Sequence, residues 1–149
     1  MTMPTAPEPT PPMHNAEDAA WDRDTLSDPH KREDKPTRVR TMFAAIAGSY
    51  DLHNHLHSLG IDHLWRQATV RAARVREGDI VADIACGTGD LTQAFAKRSP
   101  AKKIYGLDFT PEMLDIARTK QPKAVHGDRI EYLDGDALNL PLEDASVDV

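Results

Sequence analysis

Three acids and two glycines stand where they could hold a small polar ligand. Asp83 alone interrupts an apolar run, Ile80 to Ala85, and Gly87-Thr88-Gly89 follows after Cys86. Glycines so placed allow a tight turn and a close backbone approach to a ligand. The helix that such a turn opens has unpaired N–H groups, which favour a negative group. Asp108 ends the next apolar run, Lys103 to Asp108, about 20 residues beyond the turn. In a nucleotide-binding βαβ unit an acid at that distance accepts hydrogen bonds from ribose hydroxyls. A third run, Ile130 to Leu133, leads into Asp134-Gly135-Asp136-Ala137. Acids at successive strand ends place a polar ligand along the carboxyl edge of a parallel sheet. NAD would use the first two, but a dinucleotide fingerprint wants a third glycine where this chain has Thr92.

Other chemistry-bearing residues are less organised. His53, His55, His57 and His63 cluster in sequence, and His53 and His57 would share a helical face. No local Cys or Glu completes a ligand set, and zinc normally takes three or four protein ligands, so no metal site is assigned. Cys86 is the single cysteine; it excludes an intrachain disulfide, suits a reducing compartment, and reads as a small residue of the turn rather than a nucleophile. A net charge of −6 gives no general attraction for nucleic acid, which would want a basic face. No apolar run reaches membrane-span length.

The elements that position these residues can be read from pattern. Residues 1–36 hold seven of the eleven prolines, with eight acids against four bases and few large apolar residues. Such a segment cannot offset its ordering entropy by burial, so a disordered tail is expected, with Trp21 as its one obvious docking anchor. It has neither the basic start and apolar core of a signal peptide nor the basic, acid-poor composition of a mitochondrial presequence. Residues 37–78 form a helical segment. Val39, Met42, Phe43, Ile46 and Ala47 follow helical spacing up to Gly48, which is expected to end the helix. A second helix is expected from Asp62 to Arg76, with Leu64, Trp65, Ala68, Val70, Ala72 and Val75 as candidates for burial. Residues 79–149 alternate strand and helix. The first strand is expected to be buried on both faces, as parallel strands are. Thr110 reads as the N-cap of a helix with Pro111 at its first position and Glu112 in its first turn. Ala145 to Val149 reads as a fourth strand in which the chain ends.

Two motifs carry a family resemblance. Asp83 to Thr92 reads D-x-A-C-G-T-G-D-L-T, which resembles motif I of the Rossmann-like, class I S-adenosylmethionine-dependent methyltransferases; that family often has a further glycine where this chain has Ala85. Phe43-x-x-Ile46-Ala47-x-x-Tyr50-Asp51-x-x-Asn54, then Ser58-x-Gly60 and Trp65-Arg66, resembles the N-terminal signature of the ubiquinone/menaquinone biosynthesis C-methyltransferases. Phe109 to Leu114 resembles the segment after motif I.

The resemblance implies an α/β fold: a Rossmann-like parallel sheet with helices on both faces, preceded by the helical segment and with its C-terminal strands missing. It implies S-adenosylmethionine as cofactor. Asp83 would face the ammonium of the methionine moiety, and the turn Gly87, Thr88, Gly89 would pass beneath the cofactor. Asp108 would take the ribose, Asp136 the adenine amino group, and the Ala137 N–H a ring nitrogen. The implied reaction moves the sulfonium methyl to a ring carbon of a polyprenylated quinol. His53, His57 and Tyr50 are candidates for the base that deprotonates the quinol, with no catalytic residue assigned. The enzyme would be cytoplasmic, with peripheral contact at the inner membrane face. Other readings stand beside this one: a methyltransferase for another small molecule, a non-catalytic fragment needing a partner chain for the missing strands, and an NAD-dependent oxidoreductase.

Overall fold

The computed structural model describes residues 35–58 and 61–149. The proline-rich segment and Trp21 lie outside them. The chain divides into two units, Met1–Arg38 and Val39–Val149, and the fold below is that of the second.

Helix α1 runs from Lys35 to His57, through Gly48 rather than ending at it. Glycine in a helix interior costs only about 1 kcal/mol against alanine, a preference that the surrounding sequence overrides here. Helix α2 spans Asp62–Ala73 and closes on Arg74 in the left-handed conformation. Strand β1 (Ile80–Ile84), helix α3 (Asp90–Arg98), strand β2 (Lys103–Asp108), helix α4 (Pro111–Lys120) and strand β3 (Ile130–Asp134) follow in alternation. All pairing is parallel, in the order β1-β2-β3, with Val81 opposite Ile104 and Ile104 opposite Ile130. On the free edge of β1 the Ala82 N–H donates to the Val149 carbonyl at 2.8 Å, and the Asp148 N–H to that of Ile80 at 2.9 Å. Residues 148–149 thus lie hydrogen-bonded along the side of β1 away from β2, but the strand expected from Ala145 does not form as one: Ala145 stands in a turn with φ 57°.

One face of the sheet carries the core. Val81, Ile104 and Ile130 stand in a row across it and meet Phe95 and Ala96 of α3, Leu114 and Ala117 of α4, and Val70 of α2. The other face is different. Lys103 pairs with Glu131 at 2.6 Å and lies over the Tyr105 ring, half in solvent. β1 therefore alternates between buried and part-exposed positions instead of being buried on both faces. Only Leu107, near the carboxyl end of β2, is fully buried on that second face, close to Pro141 across Gly135.

The expected burial of α2 also needs correction. Val70 is buried and Ala73 and Val75 pack against the core, but Leu64, Trp65, Ala68 and Ala72 face outward. Both sides of this helix carry apolar residues, and periodicity alone does not say which one the sheet will take.

Candidate functional site

The three strand ends are tied together by backbone before any side chain acts. The Cys86 N–H donates to the Leu107 carbonyl at 2.9 Å, and the Gly135 N–H to that of Asp108 at 3.1 Å. Across this edge the Asp108 side chain makes a further link. Its Oδ2 accepts from the Gly87 N–H at 2.8 Å and its Oδ1 from the Thr110 N–H at 2.9 Å. Asp108 is buried, yet each carboxylate oxygen keeps a second lone pair. It can hold the glycine turn and still accept from ligand hydroxyls.

The turn itself departs from ordinary backbone geometry at three places. Ala85, Gly87 and Gly89 all have positive φ, at 60°, 55° and 79°. For the two glycines this is free, while for Ala85 it costs roughly 1–2 kcal/mol. The further glycine that the motif I resemblance leads one to expect at Ala85 is the one signal of this strain in the sequence. The two glycines serve different ends. A Cβ on Gly87 would meet nothing within 4 Å, so its outer side is open to a ligand. A Cβ on Gly89 would lie 2.2 Å from the Tyr132 hydroxyl, so its inner side is filled. Gly106 makes room for the same ring, with 2.6 Å to Tyr132 Cδ1. Burial pushes the Tyr132 phenol up to about 12.

A hollow of about 110 Å³ opens over this edge, lined by Phe43 and Tyr50 of α1 and by Ala85, Gly87, Asp108 and Thr110. Phe43 and Tyr50 meet edge to face, with ring centroids 6.3 Å apart. Thr110 is fully buried, and its hydroxyl has no hydrogen-bond partner among the described residues. It occupies the N-cap position of α4, as expected, but its side chain does not cap. An unpaired buried hydroxyl costs about 1–3 kcal/mol, and this one lines a hollow where a polar ligand can satisfy it.

The remaining candidates take separate places. Asp83 does not line the hollow. It is buried behind the turn and accepts from the Thr92 hydroxyl at 2.6 Å. Burial raises its carboxyl above the ordinary value, and the nearby Asp108 charge adds to this while the Thr92 bonds oppose it. Thr88 is buried, and its hydroxyl accepts from Lys120 Nζ at 3.3 Å. Lys120 also pairs with Asp90 at 2.5 Å, which fixes the first turn of α3 to the last turn of α4. Asp136 and Ala137 lie exposed in a turn where Asp136 Oδ1 accepts from the Leu138 N–H at 2.9 Å. The Cys86 thiol is pushed up to about 12 by burial, then by the Asp83 and Asp108 charges, which leaves it a poor nucleophile. The side chains of His53, His55 and His57 lie outside the described residues. Among the described residues no three His, Cys, Asp or Glu gather as a metal site.

With this geometry, the comparisons are decisive about kinship. Residues 31–149 match the ubiE/COQ5 methyltransferase family. The chain belongs to that family. It is 44% identical over 117 residues to a demethylmenaquinone methyltransferase of Deinococcus radiodurans, covering 78% of this chain and 48% of the relative. It is 40% identical over 116 residues to a ubiquinone/menaquinone biosynthesis C-methyltransferase of a Geobacter species, covering 77% and 49%. The chain spans about half the length of the curated relatives it matches. Among solved structures, it resembles a putative methyltransferase in complex with the Haloferax volcanii Trm112 activator, with a TM-score of 0.57 and 30% identity over 71% of this chain and 44% of that one. A putative S-adenosyl-L-methionine-dependent methyltransferase from Methanococcus maripaludis gives a TM-score of 0.54 and 29% identity over 65% and 44%. The fold is therefore Rossmann-like, of the class I methyltransferase type.

Proposed function

We propose that this protein transfers a methyl group from S-adenosylmethionine to a ring carbon of a polyprenylated quinol. The observation that carries the reading is the hollow between Phe43, Tyr50 and the strand ends. It brings an open glycine turn, a twice-anchored Asp108 and an unpartnered Thr110 hydroxyl to one place. Family membership and the relatives' names support both cofactor and acceptor.

The residues fit the cofactor. S-adenosylmethionine supplies an activated sulfonium methyl when bound. Asp108 accepts from the ribose hydroxyls and Asp136 from the adenine amino group, with the Ala137 N–H beside it. Gly87, Thr88 and Gly89 let the backbone come close. Asp83 lies behind the turn on Thr92 and does not line the hollow, so its role toward the ammonium rests on the family resemblance alone. The protein's own task is to hold methyl and carbon in line and to take the quinol proton. Of the candidates for that base, Tyr50 lines the hollow among the described residues, and the side chains of His53 and His57 lie outside them. A polyprenylated acceptor partitions into a bilayer, so the protein works at the cytoplasmic membrane surface. Among the described residues no helix is long and apolar enough to cross a membrane.

Calorimetric titration with S-adenosylhomocysteine and with NAD tests the cofactor. The former should bind, and Asp108→Ala should weaken it more than about tenfold, because hydrogen bonds to a charged acceptor contribute about 1.5–3 kcal/mol. Binding of NAD alone would overturn the assignment. If S-adenosylhomocysteine binds but a demethylated quinol receives no methyl from the protein, the cofactor stands and the acceptor falls. Methylation of some other small molecule would then be the alternative.

A further inference from the structure

We infer that Lys120 is a positioning residue for the glycine turn, which it holds through the Thr88 hydroxyl. Within Gly87-Thr88-Gly89 only Thr88 has a side chain by which the turn can be held. The glycines on either side of it both have positive φ, and glycine takes up other conformations about as readily. The turn's own backbone therefore defines its plane poorly, and the setting must come from outside. Gly87 is fixed through its N–H by Asp108, and Gly89 lies against the Tyr132 ring. Thr88 is buried, and its hydroxyl accepts from Lys120 Nζ at 3.3 Å. That donor comes from the last turn of α4, 32 residues further along the chain.

Two further features set Lys120 apart from an ordinary surface cation. Helix α4 meets the turn at two neighbouring residues: Ala117, on the same helical face as Lys120, has its Cβ 3.0 Å from where a Cβ on Gly89 would lie. The ammonium is also gripped from its other side. Asp90 Oδ1 accepts from it at 2.5 Å, while Asp90 Oδ2 faces Arg66 of α2 at 3.3 Å. Arg66 pairs in turn with Asp62 at 2.5 Å. A lysine side chain has much rotamer freedom to lose, and this run of alternating charges limits it before a ligand arrives. The side chains of Lys120 and Asp90 are 28% and 38% exposed, so their pair contributes little to global stability. Its effect falls on the geometry of the turn instead. This role rests on the cofactor reading: a turn already set for its ligand spares the ligand the cost of ordering it.

Lys120→Met keeps most of the length of the side chain and removes its charge and donors. It should weaken S-adenosylhomocysteine binding in calorimetry about fivefold or more, with a urea unfolding midpoint close to the parent's. Lys120→Arg, which keeps a cation able to donate to both partners, should bind within about twofold of the parent. In a Thr88→Val background, which lacks the acceptor, Lys120→Met should cost nothing further. Parental affinity in Lys120→Met overturns the inference. So does an equal loss with and without the Thr88 hydroxyl, which would mean that Lys120 acts elsewhere, and so does a loss that Lys120→Arg fails to restore. A large fall in the urea midpoint of Lys120→Met overturns it too, because Lys120 would then hold the fold rather than the turn. If the parent itself does not bind S-adenosylhomocysteine, the cofactor reading falls and takes this role with it. A parent that binds beside an unimpaired Lys120→Met removes this role alone.

Discussion

The ends of β1 and β3 are both an acid and a glycine beside a turn, and they are built in opposite ways. After β1 everything is tied down. Asp83 is buried on Thr92, Gly87 is held by Asp108, and Gly89 is backed by Tyr132. After β3 the chain satisfies itself locally, with Asp136 turned onto the Leu138 N–H and Leu138 94% exposed. The first edge is organised before any ligand arrives, so a ligand there need not spend binding free energy on ordering the protein. The second is an open rim whose contribution must come from the contact alone. Similar sequence grammar thus does different physical jobs, and the difference lies in what packs behind the turn.

The largest expected effect comes from filling the back of the rigid turn. Gly89→Ala would place a methyl 2.2 Å from the Tyr132 hydroxyl at a φ of 79°. Left-handed strain and overpacking together should cost on the order of 3 kcal/mol in denaturant unfolding. Adding Tyr132→Phe removes the nearest atom, leaving Cζ at 2.8 Å, and should recover part of the loss. A cost below about 1 kcal/mol would show that the turn yields and that the two edges are alike.

How much of this could be read from the sequence depends on whether its cause is local. The strands, the helices α3 and α4 and the acids at the strand ends were legible, because period, glycine and proline signals agreed over each short stretch. The end placed at Gly48 was not, since a weak single-residue preference lost to the helix on both sides. The burial of α2 was half legible. Its apolar period is there, but Val70 rather than Trp65 meets the sheet. Nothing local could reveal that Asp108 holds Gly87, which is 21 residues away, or that Thr110 sits at an N-cap without capping. Those follow from strand register, which brings distant residues to one edge.

A second test separates the edges by charge. Burial raises the folded-state carboxyl of Asp83 above its unfolded value of 3.8. The protonated form is therefore favoured by folding. Its contribution is fully present below that unfolded value and is lost as pH rises through the raised folded one. Asp83→Asn keeps an acceptor for Thr92 without the charge. It should match the parent in urea unfolding at about pH 3 and exceed it at about pH 7. The same variant should bind S-adenosylhomocysteine more weakly if Asp83 meets the ammonium. Equal stability at both pH values would mean that the carboxylate is solvated and the first edge less closed than described.

The smallest effect on folding is expected at the open rim, and there the two measurements should part company. Asp136 is exposed, and its one side-chain bond is to a backbone N–H two residues on. Surface substitutions away from special backbone sites usually change stability by no more than about 0.5 kcal/mol. Asp136→Ala should therefore leave the unfolding midpoint almost where it was. If Asp136 accepts from the adenine amino group as proposed, the variant's cost should appear in affinity instead, as several-fold weaker binding of S-adenosylhomocysteine. The natural control is a ligand without that amino group, the inosine analogue of S-adenosylhomocysteine, to which parent and variant should bind alike. If the variant unfolds early, the turn after β3 is a built element like the one after β1. If affinity for both ligands is unchanged, Asp136 is a turn residue only, and adenine is held elsewhere.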